Sequence, residues 1–200
     1  MGSNPTASLY IVKNKKYYSW VLYDWANSAY ATIVLAGFFP IIYAEYFAAS
    51  VDQSERTLYL GISNSAASLL LIISAPFFGL LADRFNKKKL FLSIFALVSI
   101  ASTFLLSFIS INSFILASIL FSISLLGFMM ANVFYDSMLL DFENDKFSKI
   151  SSYGYAFGYL GGGLAFVIAL LLTAVYVVRN IKKDSQHVIG LNITRKSLEF

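Results

Sequence analysis

Long apolar runs alternate with short polar breaks along the whole chain. Five runs approach or exceed the roughly 20 mostly apolar residues that a helix needs to cross the hydrocarbon of a bilayer. They cover about Ser19 to Phe47, Leu58 to Ala82, Leu90 to Ile109, Phe114 to Tyr135 (with Met138, Leu139 and Leu140 extending the pattern) and Tyr153 to Val178. The first run carries Asp24, Asn27 and Glu45, and contains Pro40, which membrane helices tolerate as a kink. The breaks are Val51–Arg56, a basic stretch after Ala82, the pair Asn112-Ser113, and Asp141–Lys149. The pattern predicts an all-α, polytopic membrane bundle of about five transmembrane helices. Residues 1–17 read as an N-terminal cytoplasmic segment, 18–178 as the helical bundle, and 179–200 as a polar tail.

Composition agrees. Hydrophobic residues make up 58% of the chain and charged residues 13%, against about 25% charged in soluble domains. A soluble domain of this length needs a polar surface that the sequence does not supply. The first apolar run is too long for a signal peptide and has Asp24 inside it, so it reads as a retained span. The net charge of +4 would suit nucleic acid, but the lysines stand at the ends of apolar runs, as membrane flanks do, and no nucleic-acid partner is expected.

Positive charge sets the orientation. Lys13, Lys15 and Lys16 precede the first run, and Arg84 with Lys87, Lys88 and Lys89 falls between the second and third. Both groups are expected on the cytoplasmic face, which makes this an integral, multi-pass protein with a cytoplasmic N-terminus. The basic tail (Arg179, Lys182, Lys183, Arg195, Lys196) breaks the alternation. Either one span is miscounted, or the tail is non-native or truncated context. The odd number of spans and the ending Ser197-Leu198-Glu199-Phe200 favour an interrupted frame.

Candidate chemistry is sparse. There is no cysteine and one histidine, His187, outside the apolar runs, so Cys/His zinc sites and thiol chemistry are excluded. No catalytic constellation appears, so no enzyme activity, cofactor or metal is expected. Asp24 and Asn27 lie about one helical turn apart on a shared face. A carboxylate inside a membrane span costs about 2.5–3.5 kcal/mol at the bilayer centre and less near the interface, so it should face the bundle or water. This marks a site for a substrate amine or a proton. The alternative is an interfacial anchor within an aromatic belt of Trp20, Tyr23 and Trp25. Gly154, Gly158, Gly161, Gly162 and Gly163 concentrate small residues in the fifth run, the first two at small-xxx-small spacing, which predicts close helix packing. No strand precedes them and no Lys-Ser/Thr follows, so a phosphate loop is not read there.

Four motifs carry a family resemblance. Gly79-Leu80-Leu81-Ala82-Asp83-Arg84-Phe85-Asn86-Lys87-Lys88-Lys89 resembles the signature loop between helices two and three of the major facilitator superfamily. Tyr23-Asp24-Trp25-Ala26-Asn27-Ser28-Ala29-Tyr30 resembles the start of helix one in its vacuole-effluxer-like branch. Val133–Asp141 is similar to the end of that branch's helix four, with Asp136 where Asn is usual and Leu140 where Pro is usual. Ser151–Gly163 is similar to its glycine-rich helix five. The resemblance covers about residues 17 to 175, less than half of a family chain of about twelve helices. It implies a secondary transporter moving a small polar solute, with amino acids as the substrate class, by alternating access. It also implies a gating role for Gly79, Asp83, Arg84, Lys87 and Lys88, and Tyr30 joins Asp24 and Asn27 as a candidate for the solute or proton site. Arg84 needs an acidic partner, and Asp136 or Asp141 ends the fourth run on the same side. The expected partners are the lipid bilayer, a small-molecule solute, and either a missing C-terminal half or a second copy. The alternative is a truncated chain that does not transport.

Overall fold

The structure, a computed structural model, describes the backbone of residues 5–140 and 147–197 and the side chains of residues 15, 17–140 and 151–179. All regular structure within the described residues is helical. Five helical spans are long and apolar enough to cross a membrane: Tyr17–Phe47, Gln53–Arg84, Lys88–Leu106, Phe114–Leu139 and Ser151–Arg179. They are numbered one to five here. Most run a few residues past the apolar runs, because a helix continues into the interfacial layer, where polar residues such as Gln53, Ser54 and Glu55 complete its first turn. The third span stops short of Ile109, where hydrogen bonds of i→i+3 type from Ser107 to Ile109 close a tight exit. The helix carrying the fifth span runs Phe147–Ser197, so the backbone stays helical through most of the polar tail.

The first span is not a plain α-helix. An α-helix to Ala29 passes into a π-helical stretch, Tyr30–Phe38, then one α turn, Phe39–Ile42, and a second π stretch, Tyr43–Phe47. Pro40 sits in the α turn between them. Its ring removes a backbone donor and crowds the carbonyl one turn back, so the ladder on either side shifts its register. The Phe39 amide donates to Val34 O and the Ala48 amide to Tyr43 O, each five residues back. The kink expected at Pro40 thus takes the form of a widened helix.

Small residues decide which spans touch. Spans three and four pack most extensively against each other, followed by one against five and two against four. At Gly127 on span four, a Cβ would lie 2.8 Å from both Phe95 O and Ser99 N of span three. Only glycine lets the two backbones come this close. Span four is the most buried of the five. It stacks Phe121 on Phe39 of span one (centroids 4.0 Å apart) and Phe134 on Phe91 and Phe95.

Two asparagines with positive φ make the tight turns, Asn86 (52°) after span two and Asn112 (63°) before span four. Asparagine tolerates this left-handed conformation better than most side chains. Asn112 also ties two loops together: its amide donates to Tyr46 O (3.1 Å), and its Oδ1 accepts from the Ser50 amide (3.0 Å). Close by, Arg56 donates to Val51 O and Ala49 O and pairs with Glu45 at 3.8 Å.

Candidate functional site

Spans one, four and five enclose a cavity of about 240 Å³. Span one contributes Trp20, Asp24, Asn27, Ser28 and Ala31, and span four contributes Phe128, Asn132, Tyr135, Asp136 and Leu139. Both sets follow the spacing i, i+4, i+7, i+8, i+11, a single helical face. Ser151 and Tyr155, one turn apart, add the wall from span five.

Two amides bridge the walls of spans one and four. Asn27 Nδ2 donates to Asn132 Oδ1 at 2.6 Å. Aromatic side chains form one wall: Tyr135 stacks on Trp20 (4.3 Å) and on Tyr23 (5.0 Å), and Trp20 Nε1 donates to Tyr135 O at 3.2 Å. The hydroxyls of Tyr23 and Tyr135 are buried and have no hydrogen-bond partner among the described residues. Asp24 and Asn27 are half-buried, while Asp136 is exposed.

Tyr30 lies one turn deeper and does not line the cavity. Its ring stacks on Phe128 (4.5 Å), and its hydroxyl meets Ser124 Oγ at 2.9 Å. Ser124 is fully buried and also contacts Thr103 Oγ1 (2.6 Å) and Ser99 Oγ (3.4 Å). Hydroxyls from spans one, three and four thus satisfy one another at a buried position.

Four of the five glycines expected to pack helices face span one. A Cβ at Gly154 would strike the Trp20 ring, and one at Gly161 would overlap the Trp25 carbonyl. One at Gly158 would come within 2.7 Å of Asp24 Oδ2 and 2.9 Å of Ser28 Oγ, and one at Gly162 within 3.0 Å of Ser28 O. Thr32 Oγ1 adds a hydrogen bond to Gly162 O (3.1 Å) across the same seam. Gly163, by contrast, faces open space.

The basic loop stands apart from the cavity. Lys88 pairs with Asp83 at 3.5 Å across the turn. Arg84 and Lys87 are exposed, and Gly79, within span two, has open space where a side chain would be. Among the described residues Arg84 forms no ion pair, so the expected pairing with Asp136 is not made in this conformation. Asp136 lines the cavity alongside Asp24 instead. The other expected partner, Asp141, lies outside the described residues. The site contains residues that the motifs alone did not single out: Asn132, Phe128, Tyr135, Ser28 and Tyr155. The signal for those on span four was the heptad-like spacing it shares with span one.

Five long apolar helices, three of which line a polar cavity, define an integral, multi-pass membrane protein. The chain matches the Major Facilitator Superfamily over residues 26–181 and belongs to that family, whose members are transporters rather than enzymes. It is similar to an uncharacterized MFS-type transporter, YxiO, of Bacillus subtilis (strain 168), with 37% identity over 154 residues. That match takes in 76% of this chain and 36% of the relative, so the chain spans about a third of the length of the curated relative it matches. No solved structure matches it.

Proposed function

We propose that the chain supplies the N-terminal helices of a secondary transporter, which moves a small polar solute across a membrane by alternating access. The observation that carries this reading is the cavity between spans one, four and five, with two carboxylates and two carboxamides on its walls. Polar groups at membrane depth are expensive, and they mark substrate or ion pathways when they face a shared cavity. In this reading the facing wall comes from further helices, either a C-terminal half or a second copy, since such sites form at the interface between repeats. The motifs around Asp24, Asp136 and Gly158 support the vacuole-effluxer-like branch, and with it amino acids as the substrate class. The N-terminus and the Arg84–Lys89 loop lie on the cytoplasmic face.

A chimera tests the reading. This chain replaces the matching part of YxiO and is reconstituted into vesicles that are screened with a panel of labelled amino acids. Saturable uptake above empty vesicles is expected, with Asp24→Asn abolishing most of it. Uptake of no amino acid would remove the substrate assignment, and an unaffected Asp24→Asn variant would remove the site.

Arg84 pairs with Asp136 or Asp141 in the conformation closed toward the cytoplasm. In the same chimera Arg84→Asp should lower the rate of uptake, and a reciprocal Asp→Arg change at the true partner should recover part of it. Failure of both exchanges would refute the pairing.

A further inference from the structure

We propose that the wall supplied by this chain binds the protonated amine of the solute, so that the chain by itself takes organic cations in preference to zwitterions, neutral analogues or bare metal ions, and the carboxylate of an amino acid is left to the facing helices. This rests on the reading of the cavity as the solute site and names the chemistry that site accepts.

Charge is the first argument. Asp24 and Asp136 both line the cavity, and none of its described lining residues is basic. A solute carboxylate would meet two like charges there and no partner, whereas an ammonium group meets two acceptors of opposite sign. The walls are the second argument. Trp20, Tyr135, Phe128 and Tyr155 all line the same space. The first three are taken up in stacks with one another, Tyr23 or Tyr30, and the exposed ring of Tyr155 is the one on which no described ring stacks. Ring faces attract cations, and aromatic surfaces recur where organic ammonium groups are recognised. The third argument is an unused hydrogen-bonding group. Tyr135 is 5% exposed and lines the cavity, and its hydroxyl has no partner among the described residues. A buried hydroxyl left without a partner is costly unless a ligand or water completes it.

Size and ligand count separate an organic ammonium from a metal ion. The cavity of about 240 Å³ far exceeds the roughly 30 Å³ that one water occupies in the liquid. No group of three or more His, Cys, Asp or Glu side chains that could hold a metal ion exists among the described residues. The Asn27–Asn132 pair bridges spans one and four and offers further carboxamide acceptors once a solute displaces that bond.

The test is binding by the full chain in lipid nanodiscs, which needs no transport. The probes are 2-phenylethylammonium, its neutral isostere 2-phenylethanol, zwitterionic phenylalanine, and sodium chloride at matched ionic strength. Saturable thermal stabilisation by the ammonium probe alone is expected. Asp24→Asn and Asp136→Asn should each weaken it by about tenfold or more, the scale of one lost charge-assisted contact. Glu55→Gln, exposed at the start of span two, should leave it unchanged. The comparison of probes on the unaltered chain does not depend on any variant folding. Equal stabilisation by the neutral isostere or by phenylalanine, stabilisation by sodium alone, or none by the ammonium probe would each overturn the proposal. Charge-selective binding without flux in the chimera would refute transport and leave the selectivity standing. Flux of zwitterions without ammonium binding would do the reverse.

Discussion

Asn27 and Asn132 each hold a primary amide inside a membrane span, and they satisfy part of each other's hydrogen-bonding capacity at 2.6 Å. Such bonds between membrane helices are worth about 0.6 kcal/mol on average and up to about 2 kcal/mol, because the separated helices also find partners. Asn27→Ala should therefore lower stability by roughly 1 kcal/mol, leaving the Asn132 amide to water in the cavity. Asn132→Ala should cost a similar amount, and the double variant little more than either single one. Thermal melts of the four proteins in one detergent measure the coupling. Strictly additive losses would mean that the two amides act independently. Tyr30 is in a different position, since its partner Ser124 keeps Thr103 and Ser99 when the tyrosine hydroxyl is removed.

Between elements, the seam of spans one and five is set by a glycine face, and the structure separates glycines that are needed from one that is not. Gly161→Ala would push a methyl group into the Trp25 carbonyl, which as backbone cannot swing aside. Overpacking of this kind costs about 1–3 kcal/mol, so a lower melting temperature and a poorer folded yield are expected. Gly163→Ala meets nothing within 4 Å and should be neutral, or stabilising by up to about 1 kcal/mol through helix propensity. Equal effects at the two positions would show that the seam is not close-packed. The five spans and four of the five seam glycines were legible from the sequence, because length, hydropathy and small-residue spacing are local properties. Gly127 was not, because one glycine in an apolar run gives no sign that another backbone passes 2.8 Å away. The cavity face of span four was equally hidden. Phe128 and Tyr135 read as ordinary apolar positions until span one is seen to present the matching face. The π-helical stretches of span one were foreshadowed by Pro40 only as a kink.

At the scale of the whole molecule, the two ends of the bundle are built differently, and that difference can be read from outside. At one end Tyr46, Ser50 and Asn112 knit the loops together, and the rings of Phe39, Tyr43, Phe47 and Phe121 fill the core. Toward the other end, the end of the Asp83–Lys88 turn, the polar cavity lies between spans one, four and five. If the basic loop is cytoplasmic, this conformation presents its cavity to the cytoplasm and is sealed on the opposite side. The chain contains no cysteine, so single cysteines report without background. Lys89→Cys, in the basic loop, should resist an impermeant thiol reagent added outside intact cells and react once the membrane is opened. Gln53→Cys, at the opposite end of span two, should react in intact cells. Ser28→Cys, on the cavity wall, should follow Lys89→Cys and be protected from outside. Labelling of Lys89→Cys from outside would invert the topology. Labelling of Ser28→Cys from outside while Lys89→Cys stays protected would keep the topology but place the cavity opening on the far face, contrary to the aromatic seal seen here.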